Sequence, residues 1–256
     1  MSIIKQKAIG TQPEFWLSCC DDDVLTGWLK NDNLWEQHLL LTFQSLIQPN
    51  HTVLDIGAHW GEHTVTLSRL AKKVVAFEAH PKTISHLTET VKINNCSNVE
   101  CHNIGLWSHE TELDFVFDNE KSLTSGFRFS YKPDSEKFKV AKLDDLVSFP
   151  VDVVKMDVEG CEIQALRGGQ KIFETKPLLF VEINYNACVN MGQNTLNMVY
   201  QILSFGYRYM YVYDGVINKW VEKELSDLKQ MLKIDASLDA IFTPNIKLIG
   251  NAILKK

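Results

Sequence analysis

Short apolar runs alternate with segments of helical periodicity through most of this chain. Between the runs, apolar residues recur at spacings of three and four, which is typical of one face of an amphipathic helix. The runs that read as buried strands cover residues 53–56, 74–77, 99–106, 151–157 and 177–184. Strands that alternate with helices in this way predict an α/β fold: a doubly wound, mainly parallel, Rossmann-like sheet in three α/β/α layers.

The alternation breaks after the third of these runs. Residues 112–117 alternate like a hairpin strand, and the polar stretch 121–137 is interpreted as a surface loop or hairpin tip, with a lid over the substrate as the alternative. Further on, an apolar run at 207–213, a turn at Asp214–Gly215 and a run near 246–249 predict an antiparallel C-terminal edge to the sheet.

The first fifty residues precede the first predicted sheet strand. We therefore divide the chain into an N-terminal extension, 1–50, and a main domain, 51–256. Apolar residues at helical spacing predict a helix over 35–47 in the extension. Glu36 and His38 lie near the start of this helix and are interpreted as surface or capping groups, although a segment placed there could close over a cofactor.

The first strand leads into a glycine turn that has the features of a ligand site. Asp55 ends the strand, Gly57 lets the backbone turn and approach a ligand closely, and a helix follows Gly61. Glu78 ends the next strand. Its distance along the chain from Gly57 is close to the roughly 20 residues expected when a carboxylate at the second strand tip binds ribose hydroxyls. His59 stands where a dinucleotide fingerprint has its middle glycine, which favours a nucleoside without a pyrophosphate over NAD. An ordinary strand–turn–helix unit without a cofactor is the alternative.

A second group of acids follows the fourth predicted strand. Asp157, Glu159 and Glu162 surround a glycine, Gly160, at the strand tip. In open α/β sheets, such tips face the crevice in which ligands bind. Glu162 is interpreted as an acid in the first turn of the following helix rather than as a catalytic group.

These two segments, with Leu-Asp-Asp-Leu at 143–146 and Phe-Val-Glu-Ile-Asn at 180–184, resemble the FkbM family of methyltransferases that depend on S-adenosylmethionine (SAM). The resemblance runs from about Val53 to Asn184. It implies methyl transfer to a hydroxyl group, often on a sugar or a natural-product scaffold. It implies SAM-binding roles for Asp55, Gly57, Gly61 and Glu78. It also places Asp157 and Glu159 near the transferring methyl group.

The chain departs from the family pattern at two places in the predicted cofactor site. The family usually has Asn where this chain has His59, and Glu-Pro where it has Glu78-Ala-His80-Pro81. The first departure bears on contacts to the methionine end of the cofactor, and the second on the backbone at the ribose. His59 is kept among the predicted cofactor contacts, together with Gly105, near which a nucleoside base can lie.

The reaction that the resemblance implies requires a base. Methyl transfer from a sulfonium needs the nucleophile held close and aligned, and an alcohol must also lose its proton. Asp157 is the first candidate for the base, with a cofactor contact as its alternative role, and Glu159, Glu182 and His59 follow. Glu182 and Asn184 could instead join Asp157 around Mg²⁺, since hard oxygen ligands suit that ion. A metal is not favoured, because such residues also serve without one.

Composition narrows the classes of partner. A net charge of −6 over 256 residues does not favour nucleic acid. No apolar run approaches the length of a membrane span, and the N-terminus lacks the hydrophobic segment of a signal peptide. The six cysteines form no C-x-x-C pair, which favours free thiols in a reducing compartment. We expect a cytoplasmic protein.

The sequence thus predicts a SAM-dependent O-methyltransferase that acts on a sugar, a glycan or a small hydroxylated metabolite. Two alternatives are a nicotinamide-dependent oxidoreductase on a Rossmann fold and a non-catalytic SAM-fold module that binds a partner chain. A nucleic-acid methyltransferase is a third alternative, and the negative charge counts against it.

Overall fold

An eight-stranded sheet forms the centre of the molecule and carries helices on both faces. The structure is a computed structural model that describes residues 2–21, 23–31, 34–117, 127–129, 136–232 and 236–245. In the first part of the chain, the elements are β1 (Ser2–Gln6), β2 (Phe15–Cys19), α1 (Val24–Leu29), α2 (Gln37–Leu46), β3 (Thr52–Ile56), α3 (Glu62–Leu70), β4 (Lys73–Phe77), α4 (Pro81–Ile93), β5 (Val99–His102), β6 (Gly105–Leu106) and β7 (Thr111–Phe117).

The second part of the chain completes this sheet and a smaller one. Its elements are β8 (Phe127–Phe129), β9 (Glu136–Ala141), α5 (Leu143–Leu146), β10 (Val153–Met156), α6 (Glu162–Gly168), α7 (Gln170–Glu174), β11 (Leu178–Asn184), α8 (Tyr185–Asn190), α9 (Thr195–Ser204), β12 (Tyr209–Asp214), β13 (Lys219–Glu222), α10 (Leu225–Met231) and β14 (Ser237–Thr243).

The large sheet confirms the predicted fold class. Its strand order is β13-β12-β14-β11-β10-β3-β4-β5, and the neighbours from β11 to β5 pair in parallel. The chain moves outward from β3 to β5 and then returns to the other side of β3 with β10. This reversal makes the carboxyl ends of β3 and β10 a topological switch point, where open α/β sheets bind their ligands.

The two apolar layers follow directly from the alternation of side chains along the strands. Leu54 and Ile56 of β3 lie in one buried cluster with residues of α6 and α9, such as Leu166. Val53 lies in the cluster on the opposite face with residues of α2 and α3, such as Phe43. Strands buried on both faces read as continuous apolar runs, which is why the sequence revealed them.

Several predicted elements are found with altered bounds. The predicted third strand, 99–106, is divided between two sheets: β5 continues the large sheet, and β6 pairs with β9 in a four-stranded sheet of order β6-β9-β7-β8. The predicted helix over 35–47 is found as α2. Helix α4 begins at Pro81.

The predicted antiparallel C-terminal edge of the sheet is confirmed, and it includes a strand, β14, that was not predicted. Strand β14 lies between β11 and β12 and is antiparallel to both. The sequence analysis did not identify it, and the strand predicted near 246–249 lies outside the described residues. The predicted loop 121–137 also lies outside them, apart from 127–129 and 136–137, which belong to β8 and β9.

The N-terminal hairpin packs against α4. The backbone N–H of Trp16 donates to Asn94 Oδ1 at 2.9 Å, and that of Ser18 donates to Thr90 Oγ1 at 3.0 Å. Leu17 of this hairpin shares a buried cluster with Trp60 of the main domain. The boundary at residue 50 stays a prediction. No helix within the described ranges is long and apolar enough to cross a lipid bilayer.

The glycine at the end of β3 gives a prediction about stability. Gly57 has φ +78°, and an added Cβ would lie 1.7 Å from the carbonyl oxygen of Asp157. Gly192 has φ +65° but no atom within 4 Å of an added Cβ, so it isolates the effect of the backbone conformation. Gly192→Ala should cost about 1 kcal/mol of unfolding free energy. Gly57→Ala should cost about 1–3 kcal/mol more because of the clash. Urea unfolding measures both, and equal losses would contradict the close approach.

Candidate functional site

A cavity opens at the carboxyl ends of β3, β4, β10 and β11. The volume of this cavity is about 160 Å³. Most of the predicted site residues line it, and they come from different strand tips: Gly57, His59, Glu78, Gly105, Asp157, Glu159 and Glu182. The cavity therefore lies where the strand order predicts a ligand crevice.

The turn after β3 forms the floor between two neighbouring strand tips. The backbone N–H groups of Gly57 and Ala58 both donate to the carbonyl oxygen of Phe77 at 3.0 Å, which ties the turn to the end of β4. On the other side, Gly57 lies so close to the Asp157 carbonyl that a side chain has no room. The missing Cβ thus lets the turn lie directly against the residues that follow β10.

Glu78 is held from both sides by backbone donors. Its Oε2 accepts from the N–H of His59 at 3.0 Å and its Oε1 from the N–H of His80 at 2.8 Å. Each carboxylate oxygen retains a lone pair that can accept a hydroxyl hydrogen bond. Burial raises the pKa of Glu78 to about 7, while the two backbone hydrogen bonds act in the opposite direction. This arrangement fits the two neighbouring hydroxyls of a ribose.

Two residues predicted to contact a cofactor lie behind the cavity wall. Asp55 is fully buried, accepts from Thr64 Oγ1 at 2.6 Å and lies 3.8 Å from Lys155 Nζ. Gly61 has φ +92°, and an added Cβ would lie 2.7 Å from Leu87 Cδ1. Neither is among the residues that line the cavity. Both support the turn from beneath.

His59 and Gly105 lie on the wall near the Glu78 end. Burial lowers the pKa of His59 to about 3, so its ring is neutral and a weak base. The ring packs on Trp60 with a centroid distance of 4.3 Å. An added Cβ at Gly105 would lie 2.9 Å from Val140 Cγ1 and 3.3 Å from Ala79 Cβ, so the backbone there is closely flanked.

Three acids meet at the other end of the cavity. Asp157, Glu159 and Glu182 each offer an oxygen, and these atoms all lie within 4.8 Å of one another. Burial, followed by the charge of Asp157, raises the pKa of Glu182 to about 8 and raises that of Glu159 well above its usual value. Such an oxygen cluster can accept hydrogen bonds from hydroxyls or hold a hard divalent cation. The Asn184 side chain instead accepts from the N–H of Ala187 at 3.0 Å and caps α8.

Lys155 is the buried cation beneath these acids. Its Nζ lies 3.7 Å from Asp157 Oδ2 and 3.8 Å from Asp55 Oδ1, and it donates to the carbonyl oxygen of Gly57 at 3.1 Å. Burial alone would lower the pKa of Lys155, but Asp157 and Asp55 raise it above its usual value. The lysine therefore stays charged and joins the tips of β3 and β10.

Glu162 has the structural role expected of it. Its Oε1 accepts from the N–H groups of Val158 and Gly160 at 3.1 and 3.2 Å, which closes the turn between β10 and α6. Burial raises its pKa to about 7. The interpretation as a first-turn acid is confirmed.

One wall of the cavity was predicted only as an alternative, that the segment near Glu36 could close over a cofactor. Trp35, Glu36, Glu62 and His63 line it, and the first two come from the N-terminal extension. The interpretation of Glu36 as a surface or capping group is wrong: its side chain is 16% exposed, faces the cavity and makes no capping hydrogen bond. His38 is also drawn inward, because its Nε2 contacts Asp239 Oδ2 at 2.7 Å. These contacts join distant parts of the chain, so local sequence carries no signal for them.

Comparison with known proteins gives a family and a fold. A family model described as the methyltransferase FkbM domain matches residues 55–209, more than half of the chain. No curated protein matches the sequence.

Among solved structures, an FkbM methyltransferase from Methylobacillus flagellatus has a TM-score of 0.51 at 16% identity, over 75% of this chain and 43% of that one. The present chain thus spans less than half of that protein. An rRNA methylase from Streptococcus thermophilus is also similar, with a TM-score of 0.47 at 14% identity, over 81% of this chain and 94% of that one. So is a Streptococcus mutans protein in complex with SAH (TM-score 0.46, 16% identity, 80% and 94%).

Glu62 gives a prediction about stability and pH. Its Oε1 accepts from the Trp35 N–H at 3.0 Å, and burial raises its pKa to about 8. The folded state then keeps a proton that the unfolded chain releases above about pH 4.3. Stability should therefore fall as pH rises towards 8, by at most about 1.4 kcal/mol per pH unit for this one group. Glu62→Gln should remove the part of the slope that Glu62 contributes and leave the part due to other buried carboxylates such as Glu78 and Glu182.

Urea unfolding between pH 5 and pH 8 measures the slope for the wild type and for Glu62→Gln. The exposed Glu110→Gln variant is the matched control and should keep the wild-type slope. Parallel curves for the wild type and Glu62→Gln would show that Glu62 does not hold the proton.

Proposed function

This chain belongs to the FkbM family of methyltransferases, and on that premise we propose that it moves a methyl group from SAM to a hydroxyl oxygen of a sugar, a glycan or a small hydroxylated metabolite. One observation carries the proposal. The Gly57 turn and the backbone-held Glu78 carboxylate lie at neighbouring strand tips and bound the same cavity. That pair fits a nucleoside whose ribose hydrogen-bonds to Glu78.

The same turn counts against a dinucleotide. In a dinucleotide site, a glycine at the middle position lets backbone N–H groups approach the pyrophosphate. Here the residue is His59, with φ 50°, and its N–H is already donated to Glu78. The acids at the far end of the cavity would also repel phosphate oxygens. These features favour SAM over NAD.

The acids at the tips of β10 and β11 supply the remaining requirements of the reaction. SAM, when bound, supplies a methyl group on a positively charged sulfur. Asp157, Glu159 and Glu182 can accept the hydroxyl hydrogen of an acceptor and orient its oxygen. We assign the proton to the Asp157 carboxylate, because Asp157 lines the cavity and its backbone lies directly against the Gly57 turn.

The acceptor class rests on the same charges. Carboxylates accept hydrogen bonds from hydroxyls and repel phosphates, so a polyhydroxylated acceptor suits this wall better than a nucleic acid. The net charge of −6 agrees with that preference. Mg²⁺ bound between Asp157, Glu159 and Glu182 is a second way to offset the negative charge of these three carboxylates. Activity that survives EDTA would exclude a role for it.

Calorimetry tests the cofactor. We expect SAM and S-adenosylhomocysteine (SAH) to bind with similar affinity, and NAD and NADP not to bind at the same concentrations. Glu78→Gln should weaken both adenosyl ligands by about ten- to a hundredfold, since a charge-assisted hydrogen bond is worth roughly 1.5–3 kcal/mol. Binding of NAD in place of SAH by the wild type would refute the proposed function.

Asp157→Asn tests the chemistry. With a panel of hydroxylated acceptors and labelled SAM, read by mass spectrometry, we expect transfer to fall by about a hundredfold or more, as for loss of a general base. SAH affinity should stay within about threefold of the wild type, because the substitution preserves shape. The exposed Asp145→Asn variant is the control. Undiminished transfer by Asp157→Asn would assign the proton to another group.

A further inference from the structure

The N-terminal extension places a carboxylate, Glu36, in the wall of the proposed cofactor cavity. Glu36 lies outside the family-matched residues 55–209. It precedes α2 in a left-handed conformation, with φ 45° and ψ 50°, and its side chain does not cap the helix. Ser, Thr, Asp and Asn are the usual residues at such a position. Helix capping therefore does not account for glutamate here.

The charge of Glu36 lacks a full counter-charge. Its Oε2 lies 3.3 Å from His63 Nε2, but burial lowers the pKa of His63 well below its usual value, so that ring is neutral. The cavity lysine, Lys155, is already engaged by Asp157 and Asp55. Burial first, and then the neighbouring carboxylates Asp239, Asp157 and Glu182, raise the pKa of Glu36 well above its usual value. A cationic group of a ligand would relieve this cost.

The position of Glu36 matches one part of the proposed cofactor. Glu78 marks the ribose end, at the tip of β4. Glu36 lies at the opposite end, where it also bounds a small side cavity with Asp157, Glu182 and Asp239 of β10, β11 and β14. Strands β4 and β10 are two positions apart in the sheet, which is about 10 Å. The amino-acid arm of an adenosyl ligand is long enough to cross that distance.

We propose that Glu36 binds the α-ammonium group at the amino-acid end of SAM. This inference rests on the proposed function. It gives the N-terminal extension a direct part in cofactor binding, and it names the group that the extension recognises. It also gives a reason for the unusual backbone at Glu36.

Three adenosyl thioethers that differ in the arm on sulfur test the inference by calorimetry on the full chain. SAH carries both the ammonium and the carboxylate, its decarboxylated form S-adenosyl-3-thiopropylamine keeps the ammonium, and methylthioadenosine has neither. Glu36→Gln should weaken SAH and S-adenosyl-3-thiopropylamine by about ten- to a hundredfold, as expected for loss of a hydrogen bond between charged groups. It should leave methylthioadenosine within about twofold of the wild type.

Asp145→Asn is the control, because it removes one negative charge from an exposed residue that lines neither cavity. It should leave the ratio of SAH to methylthioadenosine affinity unchanged. An unchanged SAH affinity in Glu36→Gln would overturn the inference and leave the proposed function standing. An equal loss for all three ligands would show a merely structural role and also overturn it. Failure of the wild type to bind SAH would overturn both.

Discussion

The buried ammonium of Lys155 is the constraint on which the arrangement of the site depends. Lys155 of β10 is paired in register with Asp55 of β3, and its charge is shared with Asp157 while it donates to the Gly57 carbonyl. Removing a lysine from water costs several kcal/mol, and the cost is met only when carboxylates and carbonyls surround the charge. The contacts of Lys155 therefore hold Asp55, the Gly57 turn and Asp157 in fixed positions relative to one another.

The carboxylates around the cavity outnumber the charge of Lys155, so most of them are stabilised in other ways. Six carboxylates line the cavity, and of these Asp157 is the one paired with Lys155, at 3.7 Å. The others are Glu36, Glu62, Glu78, Glu159 and Glu182. Glu78 is stabilised instead by backbone donors, and Glu182 by the hydroxyl of Ser237. The acids at the β10–β11 end raise one another's pKa values, as Glu182 shows. A ligand that is positive at one end and rich in hydroxyls at the other suits these surroundings.

The sequence was informative where structure is local and uninformative where contacts are distant. The doubly buried strands, the Gly57 turn and the acid at the end of β4 could be predicted, because each rests on a short pattern with a physical cause. The division of 99–106 between two sheets could not, since β6 is defined by pairing with β9. Glu36 was misread for the same reason: its environment is made by His63 and by strand tips far along the chain. Asp55 was correctly placed at a strand tip, but burial and Thr64 turn it away from the cavity.

The insertion of β14 between β11 and β12 has a consequence for the order of folding. Residues that pair across β11 and β14, such as Leu179 and Phe242, are far apart along the chain, and closing so long a loop slows folding. Until β14 is in place, β11 has a free edge and the hairpin of β12 and β13 is detached from the large sheet. Such unpaired edges are the segments at which nascent chains associate wrongly. Because β14 also supplies Ser237 to Glu182, the acidic end of the cavity is complete only once this distant pairing has formed.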